Sequence, residues 1–194
     1  MNYLAHSFLS FNHTEIMVGN FIADSVPGNH FEHFTQPIIQ GIKLHRKIDA
    51  YTDQHPIYLS SKHRFSAQFD KYSGVLMDIF YDHFLAKNFH LYSPQSLETF
   101  SQSVYSDLAH YLPIMPEHAK RFYEYMTKHH ILFHYSNTNH IETVLTHLSH
   151  RIRNRVELQQ AMPLFKEQYE EIESEFFAFF DDLVEYCKKQ PEFL

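Results

Sequence analysis

His45, Asp49 and Asp53 stand four residues apart in the stretch 41–56. On a helix each step of four overshoots one turn by about 40°, so these side chains form a drifting stripe on one face. Ile42, Leu44, Ile48 and Tyr51 give that stripe an apolar flank. An imidazole and carboxylates beside apolar residues are what a metal site inside a helical bundle requires. The same stretch also fits a solvated face on which Arg46 and Lys47 pair with the aspartates at helix spacing. A second constellation, Asp78, Asp82 and His83, lies in 72–86, whose apolar residues nearly surround the helix. A buried carboxylate needs a cation, a metal or a proton, so a metal or a buried arginine is favoured there over a solvated face.

Two further stretches carry polar groups inside apolar helices. Residues 2–11 predict a short helix with Asn2 and His6 at helix spacing, where His6 is either a hydrogen-bonded core residue or a functional group. The next helix, started by Asn12 or Thr14 and running to about Val26, contains Gly19, Asn20 and Asp24. Gly19 costs about 1 kcal/mol of helix stability relative to Ala, which points to close approach of a backbone or a ligand. Asn20 and Asp24 share a face, making Asp24 a candidate metal carboxylate.

The remaining pattern is helical as well. Only four glycines occur, none beyond Gly74, which suits long helices with short joints. A central helix is expected from Pro37, with Pro56 ending that region. The segment 57–70 carries a modest basic cluster, and helices follow from 93–94 to 110, through 133 after Pro113 and Pro116, over 139–155, and through a final stripe from Phe165 to Cys187 that is core or oligomer interface. The 194 residues, with 13 Tyr, 19 Phe and no Trp, suffice for one domain, 1–194, with an aromatic core. A net charge of -7 argues against general nucleic-acid binding. One cysteine, Cys187, excludes an internal disulfide and a multi-cysteine zinc site. No signal peptide or membrane-length run is visible, so a cytoplasmic location is expected. Of the 17 histidines, His13, His63, His118 and His140 read as surface or capping groups, and His129, His130 and His134 rank below the first-half cluster.

Four stretches in order carry a resemblance: 2–6, 19–24, 41–49 with 52–56, and 81–85. Together they resemble the acyl carrier protein phosphodiesterase family, and 169–176 with Phe179 and Phe180 resembles its last helix. The resemblance implies an all-α helical bundle distantly like the HD-type metal phosphohydrolases, acting in the cytoplasm with a divalent metal, typically manganese. The implied reaction hydrolyses the phosphodiester joining phosphopantetheine to a serine of holo-acyl carrier protein, releasing apo-carrier and phosphopantetheine. The chain departs from the family at Pro27, where a lysine is expected before Gly28, and it shows Asp82-His83 where an HD protein has the reverse order.

The residue chemistry agrees independently. Attack of water on an anionic diester needs charge neutralisation, a lowered water pKa and alignment, all of which a divalent ion supplies. Carboxylate and imidazole donors without thiolate suit manganese, magnesium or iron better than structural zinc. The expected ligand pool is Asp24, His45, Asp49, Asp78 and Asp82, with His83 next. His6 and Arg46 are the candidates for proton transfer and phosphate contact, and Asn20 for orienting phosphate or water. An acidic carrier would need a basic patch, either Lys43, Arg46 and Lys47, or Lys62 and Arg64, or the run Arg151, Arg153 and Arg155. Two rival readings are a phosphohydrolase acting on a small phosphorylated substrate such as a nucleotide, and a non-enzymatic helical interaction protein.

Overall fold

Prolines and polar caps divide the chain where its apolar runs pause. The computed structural model describes residues 1–193, and among these it contains helices and turns with no strand, as the all-α expectation requires. In chain order the α-helices are α1 (Tyr3–Phe8), α2 (Thr14–Ile22), α3 (Gln36–Thr52), α4 (Pro56–Phe69), α5 (Ser73–Lys87), α6 (Leu97–Ala109), α7 (Glu117–Lys128), α8 (Ile131–His134), α9 (Thr138–Arg151), α10 (Met162–Glu167) and α11 (Tyr169–Lys188). A continuous aromatic and aliphatic core runs through them, with Phe65, Phe69, Phe80, Phe84, Phe89, Phe165, Phe176, Phe179 and Phe180 fully buried. The α11 stripe Ile172, Phe176, Phe179, Leu183 and Cys187 faces this core. That burial resolves the choice between core and oligomer interface for this stripe.

Several boundaries differ from the pattern reading, each for a local reason. Pro56 opens α4 at its first helical position, where a missing N–H costs nothing. A left-handed backbone at His130 (φ 46°) separates α7 from α8, and left-handed Arg153 and Asn154 follow the end of α9. Phe165 belongs to the short α10 instead of the last helix.

The contact that builds the site is the crossing of α2 and α3. Gly19 and Gly41 meet there with almost no space between the backbones. A Cβ on Gly19 would lie 2.0 Å from the Ile38 carbonyl oxygen, and one on Gly41 would lie 2.1 Å from that of Ile16. The close approach suggested by Gly19 is therefore to another backbone. It sets Asn20 of α2 directly against His45, one turn beyond Gly41 on α3.

Candidate metal centre

Asn20 is fully buried, and every polar atom of its side chain is used. Its Nδ2 donates to the His6 carbonyl at 2.8 Å and to Ser10 Oγ at 3.3 Å. Its Oδ1 accepts from His6 Nδ1 at 2.7 Å and from His45 Nδ1 at 3.1 Å, and the Asn20 carbonyl receives His45 Nδ1 at 2.9 Å. One amide thus fixes both imidazoles in the tautomer that leaves Nε2 free to act as a donor pair. The two rings stack with centroids 4.0 Å apart, so both Nε2 atoms leave the stack on the same side.

Asp49, one turn after His45, meets them. Its Oδ2 lies 3.1 Å from His45 Nε2 and its Oδ1 3.3 Å from His6 Nε2. Asp24, on the 3-10 turn after α2, brings Oδ1 to 3.2 Å from His45 Nε2. His6, His45 and Asp49 each offer a ligand atom within 4.8 Å of the other two. They wall an open cavity of about 290 Å³ completed by Met1, Asn2, Tyr3, Asp24, Thr52, Asp53 and Asp78. Two buried atoms of this wall, His6 Nε2 and Thr52 Oγ1, have no hydrogen-bond partner among the described residues. A bare nitrogen lone pair, a second imidazole and a carboxylate converging on a polar cavity fit a first-row divalent cation.

The charges agree with that fit. Burial, reinforced by the adjacent His45, pushes the His6 pKa down to about 4, leaving a neutral ring. Burial also opposes charge on His45, but its hydrogen bonds to Asp24 and Asp49 outweigh it and raise the pKa to about 9. Asp49 is held well below the usual carboxylate range, the cost of burial notwithstanding, chiefly by its bond to the His45 imidazole. Asp24 is lowered by its bond to His45. Without a cation, one proton on His45 takes its place among these carboxylates.

The other expected site residues fall elsewhere. Asp82 is completely buried and turned to the start of α1, accepting from Leu4 N at 2.8 Å and from Asn2 N and Ala5 N at 3.3 Å. It caps the helix that carries His6. Burial pushes its pKa up to about 7 against the pull of those N–H donors. His83 is a strut, with Nδ1 donating to the Tyr135 carbonyl and Nε2 accepting from the Tyr169 hydroxyl, each at 2.7 Å. Neither residue lines the cavity. Asp78 does, but its Oδ1 accepts from the Met1 amino group at 2.9 Å and from the Tyr58 hydroxyl at 2.8 Å. Arg46 points away, donating to the Val26 carbonyl at 3.0 Å with its guanidinium over Phe31, and so pins the loop before α3. Asn20 orients imidazoles, where phosphate or water was expected.

Tyr3 and Thr52 reach the cavity without having been singled out. Both follow from spacing: Tyr3 is one turn before His6, and Thr52 is three residues after Asp49 on the same face of α3. Tyr3 stacks on Phe122 at 4.0 Å, and burial together with the charge of Asp24 pushes its pKa up to about 12, keeping its hydroxyl protonated at neutral pH.

Residues 1–183 match the family described as acyl carrier protein phosphodiesterase. The chain belongs to the acyl carrier protein phosphodiesterase family. It is 28% identical to the acyl carrier protein phosphodiesterase of Serratia proteamaculans over 97% of this chain and 98% of that one. Identity is 27% to that of Photorhabdus laumondii over 95% of this chain and 94% of the relative, and 28% to that of Pectobacterium atrosepticum over 98% and 99%. No solved structure matches the chain. The likeness to HD phosphohydrolases therefore rests on the motif resemblance alone. Among the described residues no helix is long and apolar enough to cross a membrane.

Proposed function

We propose that the chain is a metal-dependent phosphodiesterase that hydrolyses the phosphopantetheine–serine diester of holo-acyl carrier protein, giving apo-carrier and 4′-phosphopantetheine. The names of its full-length relatives support the substrate. The observation that carries the chemistry is the pair of Nε2 atoms and the Asp49 carboxylate converging on one open cavity, with both imidazoles held by a single amide. His6, His45 and Asp49 would hold the ion, and Asp24 and Asp78 stand at its margin. Manganese suits this donor set, with magnesium or iron as substitutes. Bound there, the ion would neutralise the phosphate, lower the pKa of the attacking water and align it.

The chain's own residues supply the rest. Asn20 keeps both Nδ1 atoms protonated, so both Nε2 atoms remain donors throughout turnover. Since His6 joins the ligands, proton acceptance from water passes to the exposed Asp24 carboxylate. Tyr3, protonated and at the edge of the cavity, can donate to a non-bridging phosphate oxygen. Water oxygen bonds to phosphorus, the bond from phosphorus to the serine oxygen breaks, and that oxygen leaves with a proton. A cytoplasmic location follows from a carrier substrate of fatty acid synthesis.

Mass spectrometry of holo-carrier incubated with the protein and manganese, with chelator, or with the Asp49→Ala variant tests the reading. Loss of the phosphopantetheine mass in the first sample alone is the expected result. No loss under any condition, together with release of phosphate from a nucleotide, would transfer the activity to small phosphorylated substrates.

A further inference from the structure

A second cavity, of about 550 Å³, opens between α5, α7 and α9 and shares Asn2 and Tyr3 with the metal centre. Its floor is apolar, with Ile79, Phe122, Ile131 and Val144. Val75 and Tyr125, two of the few large apolar side chains left exposed in the protein, stand in its wall at 38% exposure each. Arg121 and Arg151 mark its rim. We infer that this groove binds the pantetheine arm of the substrate, with Tyr3 as the wall between the arm and the reacting phosphate; this rests on the carrier-hydrolase reading.

The two substituents of the diester differ in shape, and the two openings differ in the same way. One ester oxygen carries a serine on a folded protein, which needs open space. The other carries a slim chain of methylene, gem-dimethyl and amide groups ending in a thiol. The polar mouth beside Asp24 and Asp53 suits the bulky side, because both carboxylates are exposed there. The groove suits the slim side. Its volume lies in the range of small-molecule pockets, and its floor matches a chain whose first carbons beyond the phosphate are aliphatic. A groove sharing its threshold residues with the ligand cluster lets one extended molecule occupy both cavities at once.

The test compares phosphopantetheine with inorganic phosphate as ligands of the manganese-loaded protein, by calorimetry, for the wild type and for Val75→Trp. Val75 is exposed, so the indole fills the groove without a core substitution. Wild type should bind phosphopantetheine at least about tenfold more tightly than phosphate, the effect of burying a few methyl-sized groups. Val75→Trp should erase that difference and raise KM for holo-carrier. Equal affinities in wild type, a result that needs no variant, would overturn the inference. So would unchanged phosphopantetheine binding in folded Val75→Trp accompanied by weaker inhibition by apo-carrier, which would make the groove a seat for the carrier protein itself. Tight phosphopantetheine binding without hydrolysis of holo-carrier would leave the groove standing and sink the proposed reaction. Hydrolysis with unaltered KM in Val75→Trp would do the reverse.

Discussion

The α1–α2–α3 cluster and the Asp82-His83 pair of α5 carry the same residue types, and the imidazoles of both are buried. They differ in where their polar atoms end. Every hydrogen-bonding atom of His83 and the carboxylate of Asp82 is taken up by neighbouring protein groups. In the first cluster the protein fastens the Nδ1 side of both imidazoles, turns His45 Nε2 toward the carboxylates of Asp24 and Asp49, and leaves His6 Nε2 bare at a cavity. Burial of an ionisable group thus has two outcomes: it can be spent on fastening helices, or held open for a ligand. The number of partners tells them apart.

The contrast is broken most forcefully by a pair of substitutions. Asp49→Ala should reduce activity by about a thousandfold or more, the loss of several kcal/mol of metal-supplied stabilisation, while the protein remains folded. Asp82→Ala should act on stability. Stranding buried N–H groups costs about 2–3 kcal/mol, which lowers Tm by roughly 5–10 °C for a chain of this size. Calorimetry and metal content measured on both variants decide the matter, and a metal-free but thermally unchanged Asp82→Ala protein would erase the distinction.

Asn20→Leu sharpens the comparison from behind the ligands. With both imidazoles released, manganese affinity should fall about 10- to 100-fold, as read by titration. Retained affinity would mean that the α2–α3 crossing alone positions the rings.

The pH dependence of the metal-free protein comes next. His45, raised to about 9 when folded, contributes stability that is complete below its unfolded pKa near 6.5. That contribution is lost as pH rises toward 9. Asp49, depressed, contributes stability above about 4 that disappears as pH falls. Thermal scans of chelated protein should show Tm falling between pH 6.5 and 9, and His45→Gln should flatten that fall. Over the same interval manganese should bind progressively more tightly, displacing the proton of His45. A flat profile would mean that His45 is neutral without metal.

The smallest effect concerns encounter with the carrier. For a chain of net charge -7 meeting an acidic protein at a mouth that exposes Asp24 and Asp53, cations on the neighbouring groove rim such as Arg121 and Arg151 must offset the repulsion. KM for holo-carrier should therefore rise by roughly severalfold from low to physiological salt. A salt-independent KM would remove charge from docking.

How much of this was legible follows from the same contrast. The His45–Asp49 step was readable because a helix places residues four apart side by side regardless of tertiary surroundings. The all-α fold was readable for the same local reason. Asp82 was correctly seen as buried, since α5 is apolar nearly all round. That pattern contains nothing about which neighbour faces Asp82, and the neighbour is the start of α1, some eighty residues away in sequence. Arg46 misled through its position beside His45: successive helical residues point about 100° apart, so sharing a stretch with a ligand does not mean sharing its face. Gly19 signalled a close approach, and only the structure identified the approaching group as the backbone of α3.

The capping of α1 by Asp82 also bears on synthesis of the chain. All the proposed ligands lie within the first 49 residues, so the ribosome releases them early. The six-residue helix carrying His6 is too short to persist alone, and beyond its own Asn2 cap its first N–H groups are held by Asp82 of α5. A nascent chain that has emerged only as far as α3 thus holds the proposed ligands but not the scaffold that aims His6. The centre matures when α5 arrives, which makes competence for catalysis a late event in translation even though its reactive groups come first.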